Sequence, residues 1–521
     1  MNDKVIITNI SALKTKYGKG VSAITKAVKD LIAADKKRGI GSILVALDDP
    51  VDMTGLSAAA VTNANDPRQN KDAIDAIFSK YSPDYVLIIG AVDVIPHQDL
   101  KNPVYQPGSD DDQLALGDIP YACDKPYSKN PEDFVGPTRV VGRLPDLTGA
   151  KDPAYIVDLL ATAAGYQADT SEAYSDYFSV SAAVWSGSTE MSLDNLFGSN
   201  KKLNLSPKAG PKWSSAVLGK RVHFINCHGA PASYQFYGQQ GQQYPVAHDA
   251  SLIKNNITEG TIVAAECCYG ADLFDSFLLT NGQIGICSEY LASKAYGFFG
   301  STTIAYGPAD GNGSADLLCQ YFLKYVMDGA SIGRAALQAR QDFASAAGTL
   351  DPVDVKTLAQ FNLLGDPSIT PVKVDASHNA FFSAKASEAK AVSVARSIER
   401  TERRQQLQAK GIWLSENQAV ASSSAATQTS DSVQKSMAKI ADKVGMKDPA
   451  MMTFTVEQPA TAATLTSKSV GTTRFHVMLE DRSRGKNTRS KAVALNIKQA
   501  VCVVAKEVNG NIVSFRELHA R

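Results

Sequence analysis

Two apolar runs near the start of the chain constrain its fold most strongly. Ser42–Leu47 (SILVAL) and Tyr85–Ile89 (YVLII) are short and almost free of polar residues, as expected for strands that are buried on both faces. A helix-like stretch at Ala73–Tyr81 separates them. Strands that alternate with helices in this way form a parallel sheet that the helices cover. The sequence therefore predicts an α/β fold.

The same alternation returns after residue 177. The predicted strands are Phe178–Trp185, Arg221–Asn226, Thr261–Ala265, Gln283–Cys287 and Gly297–Phe299. Helices are predicted near Ala315–Met327 and Ser331–Ala346. Between the two α/β regions, residues 107–138 are rich in Gly, Pro and Asp and predict a long surface loop.

The character of the chain changes after Pro371. Residues 380–411 predict a charged helix, residues 420–432 a polar linker, and residues 450–521 a β-rich tail with a hairpin turn at Asn509-Gly510. A chain of 521 residues is too long for one core. We expect four segments, namely an N-terminal α/β subdomain (1–165), a second α/β domain (166–375), a helix with linker (376–435) and a small β-rich module (436–521).

Composition excludes several classes of function. Basic and acidic residues both number 53, so no net charge recruits nucleic acid or an anionic membrane. The sequence contains no apolar stretch of about 18 residues and no signal-peptide pattern at its start. Seven scattered cysteines do not suggest a disulfide framework. We expect a cytoplasmic protein with no nucleic-acid or membrane partner.

Two segments carry residues suited to chemistry. Val222–Gly229 (VHFINCHG) and Thr261–Gly270 (TIVAAECCYG) are each a hydrophobic strand that ends in reactive residues beside a glycine. The carboxyl ends of parallel strands converge at one edge of a sheet, so His228 and Cys267 can share a crevice. An imidazolium lowers the pKa of a nearby thiol, and Gly229 leaves its N–H free for an oxyanion. On spacing alone, a cysteine that only packs in the core stays an alternative.

This arrangement resembles the signature of the caspase, legumain and gingipain clan. Further segments resemble elements of gingipain-like peptidases in the same order, and the match covers roughly residues 80–372. These segments are Pro83–Pro96 (PDYVLIIGAVDVIP), Asp118–Tyr121 (DIPY), Arg139–Pro145 (RVVGRLP) and Phe361–Pro367 (FNLLGDP).

The resemblance implies a caspase-like sheet with flanking helices and a cysteine endopeptidase that works through an acyl-thioester. It places Cys267 as nucleophile and His228 as acid/base, with the N–H groups of Gly229 and Cys267 holding the oxyanion. Cys268 would point to the opposite face of an extended strand.

The resemblance also suggests helpers for the two catalytic residues. Glu190 is the candidate to orient His228, unless it is a solvated loop residue. Asp194 is a candidate for the floor of the first specificity pocket, implying cleavage after Arg or Lys, or else a helix N-cap.

The substrate side of the site has further candidates. Glu266 either shapes the first pocket or pairs with a cation. Ser301 and Thr302, in the strand Gly300–Thr303, are predicted to form the wall of the substrate cleft.

No cofactor is required by this chemistry. Asp110-Asp111-Asp112 is a candidate for a structural calcium ion, with a solvated acidic loop as the alternative. No P-loop and no H-E-x-x-H metal motif is present in the sequence.

Regulation is expected because a non-secreted protease needs restraint. Residues 380–521 are predicted to hold the enzyme in check or to bind a regulatory protein, and Arg400, Arg403, Arg404 and Lys410 offer basic sites for self-cleavage. The alternative is a catalytically silent caspase-like scaffold whose partner binds residues 380–521.

Overall fold

The computed structural model describes residues 2–254, 256–374, 389–423, 429–457, 472–482 and 495–521. The strands of the first half are β1 (Lys4–Thr8), β2 (Ser42–Ala46), β3 (Tyr85–Ile89), β4 (Gln98–Lys101), β5 (Leu114–Gly117), β6 (Val141–Leu144), β7 (Asp169–Thr170), β8 (Tyr177–Ala182), β9 (Leu203–Ser206), β10 (Val222–Asn226), β11 (Gln235–Tyr237) and β12 (Val246–Asp249). Those of the second half are β13 (Ile262–Ala265), β14 (Gly297–Ser301), β15 (Tyr306–Gly307), β16 (Thr349–Leu350), β17 (Phe361–Leu364), β18 (Val372–Lys373), β19 (Ala419–Ser423), β20 (Ala450–Glu457), β21 (Thr473–Asp481), β22 (Ala500–Val508) and β23 (Asn511–Ala520).

Helices flank these strands. They are α1 (Ile10–Tyr17), α2 (Val21–Lys37), α3 (Pro50–Thr54), α4 (Pro67–Tyr81), α5 (Ala154–Gly165), α6 (Ser186–Phe197), α7 (Ser215–Leu218), α8 (Ser276–Leu279), α9 (Ile286–Ala292), α10 (Ser314–Met327), α11 (Ile332–Ala347), α12 (Pro352–Gln360), α13 (Ala389–Asn417) and α14 (Asp431–Lys443). None of those described combines the length and apolar composition that crossing a membrane requires.

A ten-stranded sheet forms the centre of the molecule, in the order β2-β1-β3-β6-β17-β14-β13-β10-β8-β9. Neighbouring strands are parallel except at one place, where β14 and β17 pair antiparallel. The sheet therefore has two halves that run in opposite directions. Strands β1, β3, β10 and β13 are buried throughout, as their apolar sequences predict. The α/β fold predicted from the sequence is confirmed.

Strands from both sides of residue 165 contribute to this one sheet. Strands β1, β2, β3 and β6 form one half, and β17, from the later region of the chain, joins them beside β6. The other half contains β8, β9, β10, β13 and β14. A single hydrophobic core runs along both halves.

The strand predicted at Gln283–Cys287 is wrong. Gly282 has a positive φ of 85°, Gly285 is the N-cap of α9, and the helix begins at Ile286. The place beside β13 in the sheet is taken by β14. A short apolar run does not distinguish a strand from the first turn of a buried helix.

The β-rich tail forms a second sheet, in the order β15-β23-β22-β21-β20-β19-β16. The predicted hairpin turn at Asn509-Gly510 is confirmed, with both residues at positive φ. Residues 420–423 of the predicted linker belong instead to β19, which pairs with β20. Because β15 and β16 come from the catalytic region, this sheet joins the tail directly to it.

The basic side of α13 contacts the first half of the central sheet. Arg400 and Arg404 lie 3.6 Å and 3.5 Å from the carboxylate of Asp84, and Lys410 pairs with Asp342. Arg403 is half exposed and pairs with Glu399 on the same helix. Most of the basic side chains of α13 are therefore docked, and the paired arginines are poorly placed for self-cleavage.

Candidate active site

The site lies where β10 and β13 end. The two strands are parallel neighbours, and Ile225 is paired with Ala265. His228 follows β10, whereas Cys267 and Cys268 follow β13. The sheet thus brings the histidine and both cysteines to one edge, as the two sequence segments predict.

Gly229 sits directly against the second of these strand ends. A Cβ atom at Gly229 would lie 1.7 Å from the carbonyl oxygen of Cys268, closer than any side chain permits. The glycine therefore allows the two backbones to touch. This contact fixes the position of the Gly229 N–H relative to Cys268.

Two backbone N–H groups converge on one oxygen at this point. Gly229 N–H and Cys268 N–H donate to the carbonyl oxygen of Arg521, at 3.3 Å and 3.2 Å. Paired donors of this kind stabilise the oxyanion that develops during acyl transfer. The resemblance implies Cys267 as the second donor, but the N–H that joins Gly229 here belongs to Cys268.

The two adjacent cysteines have different surroundings. The Cys267 side chain lies in the main core, with its Sγ 3.9 Å from the carbonyl oxygen of Ile225. The Cys268 side chain lies in the hydrophobic cluster beneath the second sheet, and its Sγ accepts a hydrogen bond from the Ala305 N–H at 3.3 Å. The two thiols therefore lie in different hydrophobic clusters, Cys267 in the main core and Cys268 in the cluster that also contains Leu518 and Ala520.

Burial keeps both thiols protonated. It raises the pKa of Cys268 to about 12 and the pKa of Cys267 well above its usual value. A thiol becomes a nucleophile only after it loses its proton. In the arrangement seen here, neither thiol is ionised near neutral pH.

His228 is held by an uncharged side chain. Its Nε2–H donates to Oε1 of Gln239 at 2.7 Å, and its ring packs against Trp185 and Tyr244 at centroid distances of 4.3 Å and 5.3 Å. Nδ1 has no hydrogen-bond partner in the described part of the chain. Burial lowers the pKa of His228 to about 3. The ring is therefore neutral, and Nδ1 has a lone pair that can accept a proton.

A small cavity opens beside this histidine. It has a volume of about 220 Å³, and its lining includes Trp185, His228, Gln239 and His519. The cavity gives water or a leaving group a place next to the imidazole.

The predicted helpers on α6 do not reach the site. Glu190 is half-buried, and no described contact joins it to His228, whose orienting partner is Gln239. Asp194 is exposed and accepts a hydrogen bond from Asn200 at 3.0 Å. The inward face of the helix instead presents Ser188 and Thr189.

An acidic pocket adjoins the paired N–H groups. The guanidinium of Arg521 fills it, with Nη2 3.0 Å from Asp316 and 3.3 Å from Ser188 Oγ. The guanidinium lies over the Trp185 ring at 4.5 Å, and its Nε is 4.0 Å from Glu266. These contacts define a buried pocket that contains two carboxyl groups, Asp316 and Glu266. Glu266 was a candidate from the sequence, whereas Asp316 was not.

The two carboxylates of the pocket influence each other. Burial and the neighbouring Asp316 raise the pKa of Glu266 well above its usual value. Among the described residues, the Glu266 carboxyl oxygens have no hydrogen-bond partner. The raised pKa therefore favours the uncharged form of Glu266, and Asp316 is the carboxylate that pairs with the Arg521 guanidinium.

Glycine is also required at the rim of this pocket. A Cβ at Gly307 would lie 2.3 Å from Asp316 Oδ2 and 2.4 Å from Arg521 Nη2. Any other residue would therefore narrow the pocket where a guanidinium enters it.

Ser301 and Thr302, which were predicted to form the wall of the substrate cleft, lie in the interior of the protein. Ser301 and Thr302 are buried, and their hydroxyls donate to the carbonyls of Thr303 and Leu116. The backbone edge that pairs with residues 519–521 is instead formed by Ala305 and β15, which are buried. The Arg521 N–H donates to the Ala305 carbonyl at 3.0 Å, and β15 pairs antiparallel with Ala520 and His519.

The acidic run at 110–112 already binds protein groups. Asp110 pairs with Lys356, Asp111 with Lys498, and Asp112 accepts from the Tyr269 hydroxyl at 2.8 Å. In the part of the chain that the structure describes, no group of three or more potential ligands could hold a metal ion. These residues do not fit a calcium site. Asp112 instead fixes the position of the Tyr269 side chain through this hydrogen bond, and Tyr269 is next to Cys268.

A sheet edge that presents a histidine, a cysteine and two converging N–H groups defines a caspase-like cysteine peptidase. The family model described as Peptidase family C25 matches residues 2–372. The chain belongs to this family, the gingipain family of cysteine peptidases.

Two solved structures are similar over different lengths. One, described as "Structure of Protease", has 10% sequence identity and a TM-score of 0.44, covering 99% of this chain and 96% of the other. The second is the separase–securin complex of Saccharomyces cerevisiae, with 13% identity and a TM-score of 0.27, covering 46% of this chain and 14% of the other. No curated protein matches the chain.

Proposed function

We propose that the protein is an endopeptidase that cleaves after arginine, with Cys268 as nucleophile and His228 as general acid/base. One observation carries the proposal. The N–H groups of Gly229 and Cys268 hold a carbonyl oxygen whose own residue places a guanidinium against Asp316. A scissile carbonyl preceded by arginine would occupy the same position. The nucleophile is thus proposed one residue later than the sequence predicted.

The chemistry follows from the groups present. The Cys268 thiol gives its proton to Nδ1 of His228, and the sulfur attacks the carbonyl carbon while the carbonyl electron pair moves to oxygen. The two N–H groups stabilise this oxyanion. When the carbonyl reforms, the C–N bond breaks, and His228 returns the proton to the leaving amine. Water then hydrolyses the thioester, releasing the acid and restoring the thiol.

Arginine fits the pocket better than lysine. A planar guanidinium can stack on Trp185 and bond to Asp316 and Ser188 at the same time. The ammonium of lysine is a compact charge that cannot stack in this way. Charge-assisted bonds in a buried pocket are strong, and an unfilled acidic pocket is costly. Protein segments with exposed arginines are therefore the proposed substrates.

Replacing the two cysteines one at a time tests the nucleophile. Cys268→Ala should lower kcat/KM on an arginine-containing fluorogenic peptide by at least roughly 10³-fold, because the attacking sulfur is lost. Cys267→Ala should retain activity and lose about 1 kcal/mol of stability through a small core cavity. Labelling with an arginyl electrophilic ketone, followed by mass spectrometry, identifies the modified residue.

Cys123→Ala is the matched control, since Cys123 is also buried but lies against Phe134. Modification of Cys267 would return the nucleophile to the position predicted from sequence. If folded protein neither labels nor cleaves, even after the cleft is opened as described below, the catalytically silent scaffold is the better interpretation.

A further inference from the structure

The last four residues of the sequence occupy the cleft just described. We propose that Leu518–Arg521 act as a built-in, substrate-like inhibitor that blocks the first pocket and the oxyanion site of the same chain. The inference rests on the proposed function, because it concerns the same cleft. It specifies how the C-terminal region would restrain the enzyme.

The backbone of this segment is bound as a peptide substrate would be. Ala520 and His519 pair antiparallel with Tyr306 and Gly307, adding a strand to the open edge of β15. The Arg521 N–H donates to the Ala305 carbonyl at 3.0 Å, and the Arg521 carbonyl accepts both oxyanion N–H groups. Addition of a strand to an exposed edge is a common way to bind a peptide.

The side chains complete the resemblance to a substrate. Arg521 is fully buried in the acidic pocket, and Leu518 and Ala520 are buried in the cluster that also contains Cys268. Main chain, pocket and oxyanion site are therefore filled together. A segment that served only to pack the tail would not need its carbonyl between two convergent donors.

Strand β23 and the contacts of Arg516 hold residues 518–521 in place. β23 pairs with β22 from Val508↔Asn511 to Val501↔His519. Arg516, five residues before Arg521, lies 2.8 Å from Asp354 and 3.2 Å from Ser314 Oγ. Such a tether gives the inhibitor a high effective concentration without requiring tight intrinsic binding.

The pocket does not hold the arginine with every available bond. Nε and Nη1 of Arg521 make no hydrogen bond among the described residues. Buried donors without partners cost free energy. Arg521 therefore binds the pocket less tightly than an arginine with all of its hydrogen bonds would. Weaker binding suits an inhibitory segment that a substrate must displace.

Substitution of the tip tests the proposal in the full-length chain. Arg521→Ala should raise kcat/KM on an arginyl peptide at least tenfold and accelerate alkylation of Cys268 by iodoacetamide by a similar factor. Arg521→Glu should do so more strongly, because its carboxylate cannot pair with Asp316 and is repelled by it. Two controls with exposed side chains, Ser514→Ala on β23 and Arg403→Ala on α13, should match the unsubstituted protein.

A peptide supplied in trans gives the converse experiment. The synthetic peptide LHAR should inhibit the Arg521→Ala enzyme competitively, whereas LHAA should not. If Arg521→Ala proves unstable by thermal denaturation, Arg521→Lys keeps the charge, removes the stacking and should give a smaller activation.

The outcomes separate the two hypotheses. Equal activity and equal Cys268 alkylation in the unsubstituted protein and folded Arg521 variants would overturn the inhibitory role and leave the peptidase assignment standing. Faster alkylation without cleavage of any arginyl peptide would support occupation of the cleft and refute the proposed activity.

Discussion

At the scale of single residues, Gln239 decides how His228 is held. Its amide oxygen fixes the tautomer without adding charge. A carboxylate in the same place would stabilise the imidazolium and raise the pKa of the histidine. The uncharged partner, together with burial, keeps the ring neutral and ready to take the thiol proton.

Substitution of Gln239 should therefore change the pH profile. Gln239→Ala should lower kcat by about 10-fold with little change in KM, because the ring loses its orientation but remains present. Gln239→Glu should move the acidic limb of the kcat profile to higher pH, since the new charge favours protonation of His228. The exposed neighbour Gln242 gives the control, Gln242→Ala. An unmoved acidic limb in Gln239→Glu would remove Gln239 from its positioning role.

In the proposed function, Asp316 is the carboxylate that would select a guanidinium. Asp316→Asn should lower kcat/KM for an arginyl peptide by about 10²-fold, since it removes a buried charge-assisted bond. The ratio of rates on arginyl and citrullinyl peptides should fall with it. Asp328→Asn, at the exposed end of the same helix, is the matched control. An unchanged ratio of arginyl to citrullinyl rates would show that the pocket does not select its substrate by charge.

At the scale of elements, β10, β12 and α9 meet around a buried histidine pair. His223 Nδ1 and His248 Nε2 both contact the Tyr290 hydroxyl, at 2.7 Å and 2.9 Å. Nε2 of His223 also reaches the Lys220 carbonyl at 2.9 Å. Burial lowers the pKa of His223 to about 4 and the pKa of His248 to about 3. Both rings are neutral members of the core.

These histidines should make the fold sensitive to acid. The unfolded chain protonates them near pH 6.5, above their folded pKa values, so stability is full above that pH and falls as the pH drops towards 3 to 4. One such histidine costs about 2 kcal/mol at pH 5. Urea unfolding between pH 7 and pH 5 measures this slope.

The variant His248→Gln separates this effect from general acid denaturation. It keeps a polar group near Tyr290 but cannot titrate, so its stability should fall less steeply with pH than that of the unsubstituted protein. Identical slopes would mean that the histidine pair does not dominate the acid response.

At the scale of the whole molecule, the halves of the central sheet run in opposite directions, so their carboxyl edges lie at opposite ends. The catalytic groups belong to the half that contains β10 and β13. The other half supports it through β17 and packs against α13. The second sheet closes over the catalytic edge through β15.

The sequence alone predicted the sheet and the two adjacent strand ends because each depends on a local pattern, and the role of His228 stays a prediction. Which of Cys267 and Cys268 is the nucleophile depends on where β13 ends and on the direction of the chain after it. A shift of one residue moves a side chain to the opposite face of the sheet. A doublet of cysteines therefore leaves the choice open.

The remaining site residues gave no local signal. Asp316 lies in the first turn of α10, where an acid is ordinary at any helix start. Gln239 lies in an irregular loop, and Arg521 reaches the site only because β23 pairs across the second sheet. Such contacts depend on long-range packing, which a single sequence does not display.

The covering of Cys268 has a chemical consequence of its own. Peroxide and related oxidants attack the thiolate far faster than the thiol, and the first product, a sulfenic acid, leads on to irreversible forms. Beneath Ala305 and the β23 tip, the pKa of Cys268 is raised to about 12, so the sulfur keeps its proton. The covered Cys268 thiol is thus protected from oxidation. It should become sensitive to oxidants when the cleft opens.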